Sequence, residues 1–391
     1  MSGPAQVDVA VIGGGIAGLW LLARLQKAGY SAVLLEAEAL GGGQTLASQG
    51  IVHGGLKYAI NLTLGSDSEA LADMPARWRA CLDGRGEVDL HGLKPAAERH
   101  LFWARRTLAS RMTGFFGSKL LHGRVDRLEE AAWPAVLRDP AHVGAVYALD
   151  EMVLDVPALL RRLAAPRRAT IRQGRPDLRE AGAGGAVMLG FADGRHLQAG
   201  HVVLTAGAGN AHALAALGLP AAMAQRRPLH MLMIGNAPGP LWAHCFDVGD
   251  KPRVTITTHR RGDGSLVWYV GGQIAEAGVA QGEAALVAAA RAEFAQLLPQ
   301  LDLSGCRFAG LRVDRAEGAT ADGRKPDGPV LQRQGRVLLA WPTKLALAPQ
   351  LADLVLQALP PPSRAPFDPA VLAAWPEPPV AAAPWEAAAW R

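Results

Sequence analysis

The chain has 391 residues, half of them hydrophobic and 19% charged, enough to bury a large core and to divide into two domains. That composition excludes a disordered chain and a small scaffold held by staples. The formal net charge of +5 comes from 40 Lys and Arg against 35 Asp and Glu scattered along the chain, so nucleic-acid binding is not implied.

Residues 7–12 (VDVAVI) are a β-branched apolar run predicted as a buried strand, and Ile16 to Ala28 is an alanine-rich apolar stretch predicted as a helix. Between them Gly13, Gly15 and Gly18 fit G-x-G-x-x-G. That spacing serves a tight turn, a close approach of backbone to pyrophosphate, and close packing of helix on strand. The helix amino terminus then faces the phosphates. A second apolar run, Ser31 to Leu35, ends in Glu36, 18 residues after Gly18. An acid there accepts hydrogen bonds from both ribose hydroxyls and repels a 2′-phosphate, which disfavours NADP. Strand, glycines, helix, strand and acid occur in the order a dinucleotide site requires, without deciding between FAD and NAD.

Residues 41–58 (GGGQTLASQGIVHGGLKY) follow where a simple nucleotide unit would continue into a helix. Glycines let backbone pass close to a planar ligand and hydroxyls bond phosphate oxygens, although a flexible surface loop has the same composition. At this point the sequence resembles the D-amino-acid-oxidase-like flavoprotein superfamily, which includes glycine and sarcosine oxidases, 2-hydroxyglutarate dehydrogenase and FAD-dependent glycerol-3-phosphate dehydrogenases. The resemblance implies that the loop runs along the FAD pyrophosphate toward the isoalloxazine, with Thr45, Ser48 and Gln49 matching it. The stretch His53 to Tyr58 is most similar to the glycerol-3-phosphate dehydrogenase version, in which arginine usually stands in the place of Lys57. A cation there would bind an anionic substrate, lysine keeping the charge but losing the planar fork. His53 has three readings: a proton acceptor beside the flavin, a covalent attachment point as in some relatives, or a hydrogen-bonded packing residue.

Residues 145–165 are predicted as strand, turn and a helix starting near Pro157. Residues 201–210 form a strand ending in small residues, and the resemblance brings Ala206, Gly207 and Ala208 close to FAD. From Arg226 to Glu276 the pattern alternates as antiparallel strands with Asp263-Gly264 as hairpin punctuation. There His259, Trp268 and Tyr269 are candidates for pocket lining, with core placement the plainer reading. In residues 309–330 Arg312 matches a family arginine that holds a substrate carboxylate. An ion pair of Arg312 with Asp314 or Glu317 is the structural alternative. Arg336 to Leu359 is predicted as strand, loop and helix, with WPTKLA in place of the glycine-rich loop of many amino-acid oxidases. Lys344 and that helix amino terminus would stabilise negative charge on the flavin N1 and C2 oxygen.

The Arg- and aromatic-rich segment 101–124 reads as an element of the substrate domain, with peripheral membrane contact the less favoured reading. Beyond Pro360 a Pro- and Ala-rich tail carries Trp375, Trp385 and Trp390. Cys81, Cys245 and Cys306 lie far apart, which argues against a disulfide framework or a thiolate metal site and suits a cytoplasmic setting. No metal motif is expected.

The expected fold is α/β: a Rossmann-like FAD-binding domain of glutathione-reductase type (1–85, 150–215, 325–360), a β-rich antiparallel substrate domain (86–149, 216–324) and a tail (361–391). The expected activity is hydride transfer to flavin N5 from an amine- or hydroxyl-bearing carbon of a small anionic substrate. Reoxidation would be by O2, quinone or another acceptor. The candidate catalytic residues are His53, Lys57, Arg312 and Lys344. The alternatives are a flavin-binding subunit that needs a partner protein and, more weakly, an NAD-dependent dehydrogenase.

Overall fold

The computed structural model describes residues 5–54, 71–106, 125–180, 185–220, 223–246, 251–363, 365 and 367–391. Strand β1 (Ala5–Ile12) turns through the glycines into helix α1 (Ile16–Lys27) and β2 (Ala32–Glu36). Next come β3 (Ile51–Val52), α2 (Met74–Leu82), β4 (Leu101–Arg105), β5 (Val125–Leu128), β6 (Val143–Leu149), β7 (Met152–Val153) and α3 (Val156–Ala164). They are followed by β8 (Ile171–Gln173), β9 (Asp177–Glu180), β10 (Val187–Gly190), β11 (His196–Leu204), α4 (Asn210–Ala216) and β12 (Ala224–Gly235). The chain continues with β13 (Ala243–Phe246), β14 (Val254–Arg260), β15 (Leu266–Gly271), α5 (Gln273–Ala277), α6 (Glu283–Leu297) and β16 (Arg307–Gly318). It closes on β17 (Val330–Gln334), β18 (Val337–Trp341) and α7 (Ala348–Ala358).

The first sheet has the order β17-β18-β11-β1-β2-β8, with β10 and β9 branching from β11. Its central strands β18, β11, β1, β2 and β8 are parallel. Parallel strands are covered on both faces, which is why β1 and β2 read as continuous apolar runs rather than alternating ones. Helix α1 is buried along most of its length, with Trp20 packed against Trp78 of α2 at 4.5 Å between ring centroids. Arg24 and Arg77 share Glu87 and Asp353, a four-membered ion network tying α1, α2 and α7 together.

The second sheet has the order β16-β12-β15-β14-β13-β4-β6-β5. It is antiparallel, as its alternation predicts, except that β13 and β4 run parallel. The hairpin between β14 and β15 turns at Gly264, whose φ of +85° suits glycine at the end of the turn. The first sheet thus draws its strands from 5–36, 171–204 and 330–341, and the second from 101–149 and 224–318.

Hydrogen bonds tie the loop that follows β2 to the second sheet. Gln49 Nε2 donates to the carbonyls of Thr255 (2.9 Å) and Tyr269 (3.0 Å), and the Tyr269 hydroxyl donates to Ala47 O (2.8 Å). The carboxy-terminal tail links the two sheets. Pro376 O accepts from Gln173 N and Pro379 O from Leu40 N on one side, while Arg391 and Phe308 exchange two backbone hydrogen bonds on the other.

Candidate functional site

Between the two sheets lies a cavity of about 950 Å³ that opens on the first turn of α1, where Gly15, Ile16 and Ala17 line it. The glycine spacing has a steric cause at each position. Gly13 has φ +108°, and a Cβ there would sit 2.5 Å from Ala206 Cα. A Cβ on Gly18 would sit 1.9 Å from Gly13 O. Helix α1 has no side-chain cap of its own, so Thr45 supplies one from the following loop: Ile16 N donates to Thr45 Oγ1 at 3.0 Å. The remaining amides and the helix dipole favour an anion at this end of the cavity. Glu36 accepts from Gly14 N (2.6 Å) and Glu38 N (2.9 Å), and each carboxylate oxygen keeps a second lone pair for a ribose hydroxyl. These features fit an extended dinucleotide.

The structure brings Gly15, Thr45, Ser48, Gln49, His53, Gly207 and Lys344 to the cavity wall. Ser48 donates to Thr45 O (2.7 Å), and Ala206, behind the wall, is held by its N–H on Asn210 Oδ1 (2.8 Å). Lys344 stands beside Thr343, which takes a left-handed φ of +61°, unusual for a β-branched residue and concentrated in proteins at functional sites. The Thr343 hydroxyl donates to Gly328 O (2.7 Å), which holds this turn.

Lys57 and most of segment 101–124 lie outside the described residues; the described part of that segment is strand β4. Arg312 is not brought to the cavity. It sits opposite His230 in the β16–β12 pairing and donates to the carbonyls of Val279 (3.0 Å) and Gln281 (2.6 Å), pairing with neither Asp314 nor Glu317. Those two acids pair instead with Arg226 and Arg227. His259, Trp268 and Tyr269 are buried and are not part of the wall.

Arg227, Arg315 and Arg324 are the arginines among the described residues that reach the wall, the first two opposite one another on β12 and β16. Arg227 grips the buried Glu317 through two bonds of 2.8 and 2.7 Å. Arg315 donates Nε to Arg227 O at 3.2 Å, and among the described residues its two terminal nitrogens meet no acceptor. Burial, and then the neighbouring Arg227 charge, hold its guanidinium below the usual arginine range, against the pull of Glu317 and Glu276. Among the described residues the wall carries Arg227, Lys251, Arg315, Arg324, Lys325 and Lys344 against one acid, Glu276, which pairs with Lys251.

On the second sheet Gly271, Thr255 and His244 form a row across β15, β14 and β13, with His244 Nδ1 2.8 Å from Thr255 Oγ1. His53, at the end of β3, stacks on His244 with ring centroids 5.9 Å apart and planes 14° from parallel. Behind His53 lies Glu151, fully buried, accepting from Gly54 N at 2.9 Å and lying 3.2 Å from His53 Nδ1. Burial alone would raise this carboxyl, but His53, His100 and the Gly54 N–H outweigh it and bring it down to about 2. His53, Glu151 and His244 present ligand-type atoms within 4.8 Å of one another.

Sequence reasoning missed Glu151, His244, Arg227 and Arg315. One signal was available for Glu151, an acid set inside the apolar run from Ala145 to Leu154. Strand parity is the signal for Arg315: Val313 and Arg315 share a face that Arg312 cannot share.

The family described as FAD dependent oxidoreductase matches residues 8–340. A Pseudomonas aeruginosa protein described as a probable FAD-dependent oxidoreductase is 50% identical over 386 residues, covering 97% of this chain and 98% of its own. The crystal structure of that protein superposes with a TM-score of 0.83 at 44% identity, covering 98% of this chain and 99% of that one. Glycine oxidase from Geobacillus kaustophilus gives 0.66 at 19% identity, covering 93% and 97% of the two chains. L-α-glycerophosphate oxidase from Mycoplasma pneumoniae, with FAD bound, gives 0.65 at 12%, covering 90% and 94%. These last two share the fold.

Proposed function

The chain belongs to the FAD-dependent oxidoreductase family, and from that membership we propose that it oxidises an amine- or hydroxyl-bearing carbon of a small anionic substrate. The observation that carries the reading is the cavity wall itself. Among the described residues six basic side chains face one acid there, and His53, backed by the buried Glu151, stands on the same wall. An excess of cations around a confined space raises its potential and selects negative ligands.

Bound FAD supplies the hydride acceptor; what the chain contributes is orientation, charge and proton handling. The helix amino terminus and Thr45 loop would hold the pyrophosphate, Glu36 the ribose, and Lys344 with the turn before α7 the electron-rich edge of the ring system. Arg315 is the anchor for the substrate anion, since a guanidinium with two uncommitted terminal nitrogens suits a carboxylate or phosphate. His53 takes the proton released from the substrate hydroxyl or ammonium as the carbon is oxidised.

The test is anaerobic titration of the FAD-loaded protein with matched pairs: 2-hydroxy acids and their amides, amino acids and their amides, polyol phosphates and the free polyols. The expected result is loss of the oxidised flavin bands with one anionic class and not with its neutral counterpart. Equal reduction by the neutral member would sink the anionic reading.

A further inference from the structure

We propose that Glu151 is a positioning residue of this site: it fixes His53 with the proton on Nδ1 and the lone pair on Nε2, and it stabilises the imidazolium formed when His53 takes a proton. The inference rests on the reading of His53 as proton acceptor, and it concerns a residue 98 positions away in the chain.

A carboxylate with 1% of its surface exposed is tolerated only with partners for both oxygens. Glu151 places one oxygen 2.9 Å from Gly54 N and the other 3.2 Å from His53 Nδ1. One side chain therefore holds both the His53 ring and the backbone immediately after it, which fixes the ring in position and in rotation. Glu151 is itself held from the opposite side, where His100 N donates to its carbonyl at 2.5 Å. An acceptor-only group facing Nδ1 requires N–H there, so the basic lone pair falls on Nε2.

Charge gives the second argument. Among the described residues the titratable side chains facing Glu151 are His53, His100 and His244. The neighbouring Asp150 is engaged with Arg79 at 2.6 Å, and Lys251 on the cavity wall with Glu276 at 2.7 Å. Three imidazoles thus share one negative charge. His244 stacks on both others, 5.9 Å from His53 and 4.2 Å from His100. His53 is the one within hydrogen-bonding distance of the carboxylate, so it is the ring on which a positive charge is balanced. In a buried setting that pairing is far less screened than in water. The two carboxylate oxygens lie at hydrogen-bond distance from Gly54 N and His53 Nδ1, the arrangement of a carboxylate–histidine pair.

The experiment is nitrogen NMR of the FAD-loaded protein labelled with 15N in histidine, the His53 signals being identified by their loss in His53→Asn. The wild-type protein is expected to show the neutral ring with its proton on Nδ1. In Glu151→Gln, which keeps an acceptor for Gly54 N but loses the charge, the His53 titration midpoint should fall by about one to two pH units, a roughly 10- to 100-fold loss of proton affinity. Glu151→Asp should recover much of it. A proton on Nε2 in the wild type, or an unchanged midpoint in Glu151→Gln, overturns the proposal. The wild-type tautomer decides the matter alone if the variant does not fold. Anaerobic flavin reduction across pH separates the two readings. If the NMR midpoint moves and the acid limb of the rate profile stays, Glu151 positions His53 and His53 is not the proton acceptor; if both move together, both readings hold.

Discussion

Arg312 and Arg315 are three positions apart on one strand and face opposite sides of it, so they make opposite predictions. Charge-assisted hydrogen bonds contribute about 1.5–3 kcal/mol, so Arg315→Met should weaken substrate binding roughly 10- to 100-fold with little change in maximal reduction rate. Arg312→Met removes bonds to the Val279 and Gln281 carbonyls and should leave substrate affinity unchanged, both read from anaerobic reduction at varied substrate. Glu151 adds a prediction about pH. Its folded pKa of about 2 lies below the ordinary 4.5, so its stabilisation is complete above about 4.5 and is lost as pH falls toward 2. The stability gap between wild type and Glu151→Gln in denaturant unfolding should therefore narrow as pH is lowered from 6 to 3. His53 was legible in the sequence because it sits in a local motif. Glu151 and His244 were not, because their roles exist only after β3, β7 and β13 meet, and no local spacing encodes that meeting.

At the scale of elements, the loop at 41–50 and helix α1 form one device. The helix begins on glycines that cannot cap it, and the cap comes from Thr45, 29 residues beyond the amide it serves. Thr45→Val keeps the shape and removes the acceptor, which should cost about 1 kcal/mol of stability. It should also raise the fraction of protein that loses flavin on gel filtration. Gly18→Ala is harsher, because the added carbon meets a backbone carbonyl at 1.9 Å and no side chain can yield. That variant should purify without bound FAD. These elements were readable in advance because a buried parallel strand, an apolar helix and a glycine turn each have a distinct local pattern. The side of β16 that faces the cavity was not readable. Alternation specifies that two faces exist, and the pairing of β16 with β12 decides which arginine is inside.

For the molecule as a whole, the tail is a strap across both sheets. Its first part bonds to Leu40 and Gln173 beside the glycine turn, and its last part buries Trp385 against the second sheet. Trp385 stacks on His259 at 3.8 Å with planes 17° apart, and that buried ring is pushed down to about 3 by loss of water. Sequence composition marked the tail as an appendage but carried no sign of what it covers, since a tryptophan names no partner. The linkage follows from the direction of the shift. An unfolded His259 takes a proton near the ordinary value of 6.5 and the folded one does not, so the fold has its full stability above 6.5 and loses it progressively as pH falls toward 3. Trp385→Ala should destabilise the protein by about 3–5 kcal/mol at neutral pH. Because it also admits water to His259, it should flatten the fall in denaturation midpoint between pH 7 and pH 4. A mutant that is weaker by the same amount at every pH would show that the strap packs against the sheet without controlling protonation beneath it. A flattened profile would make the tail the element that keeps the second sheet's buried imidazole neutral while holding the two walls of the cavity together.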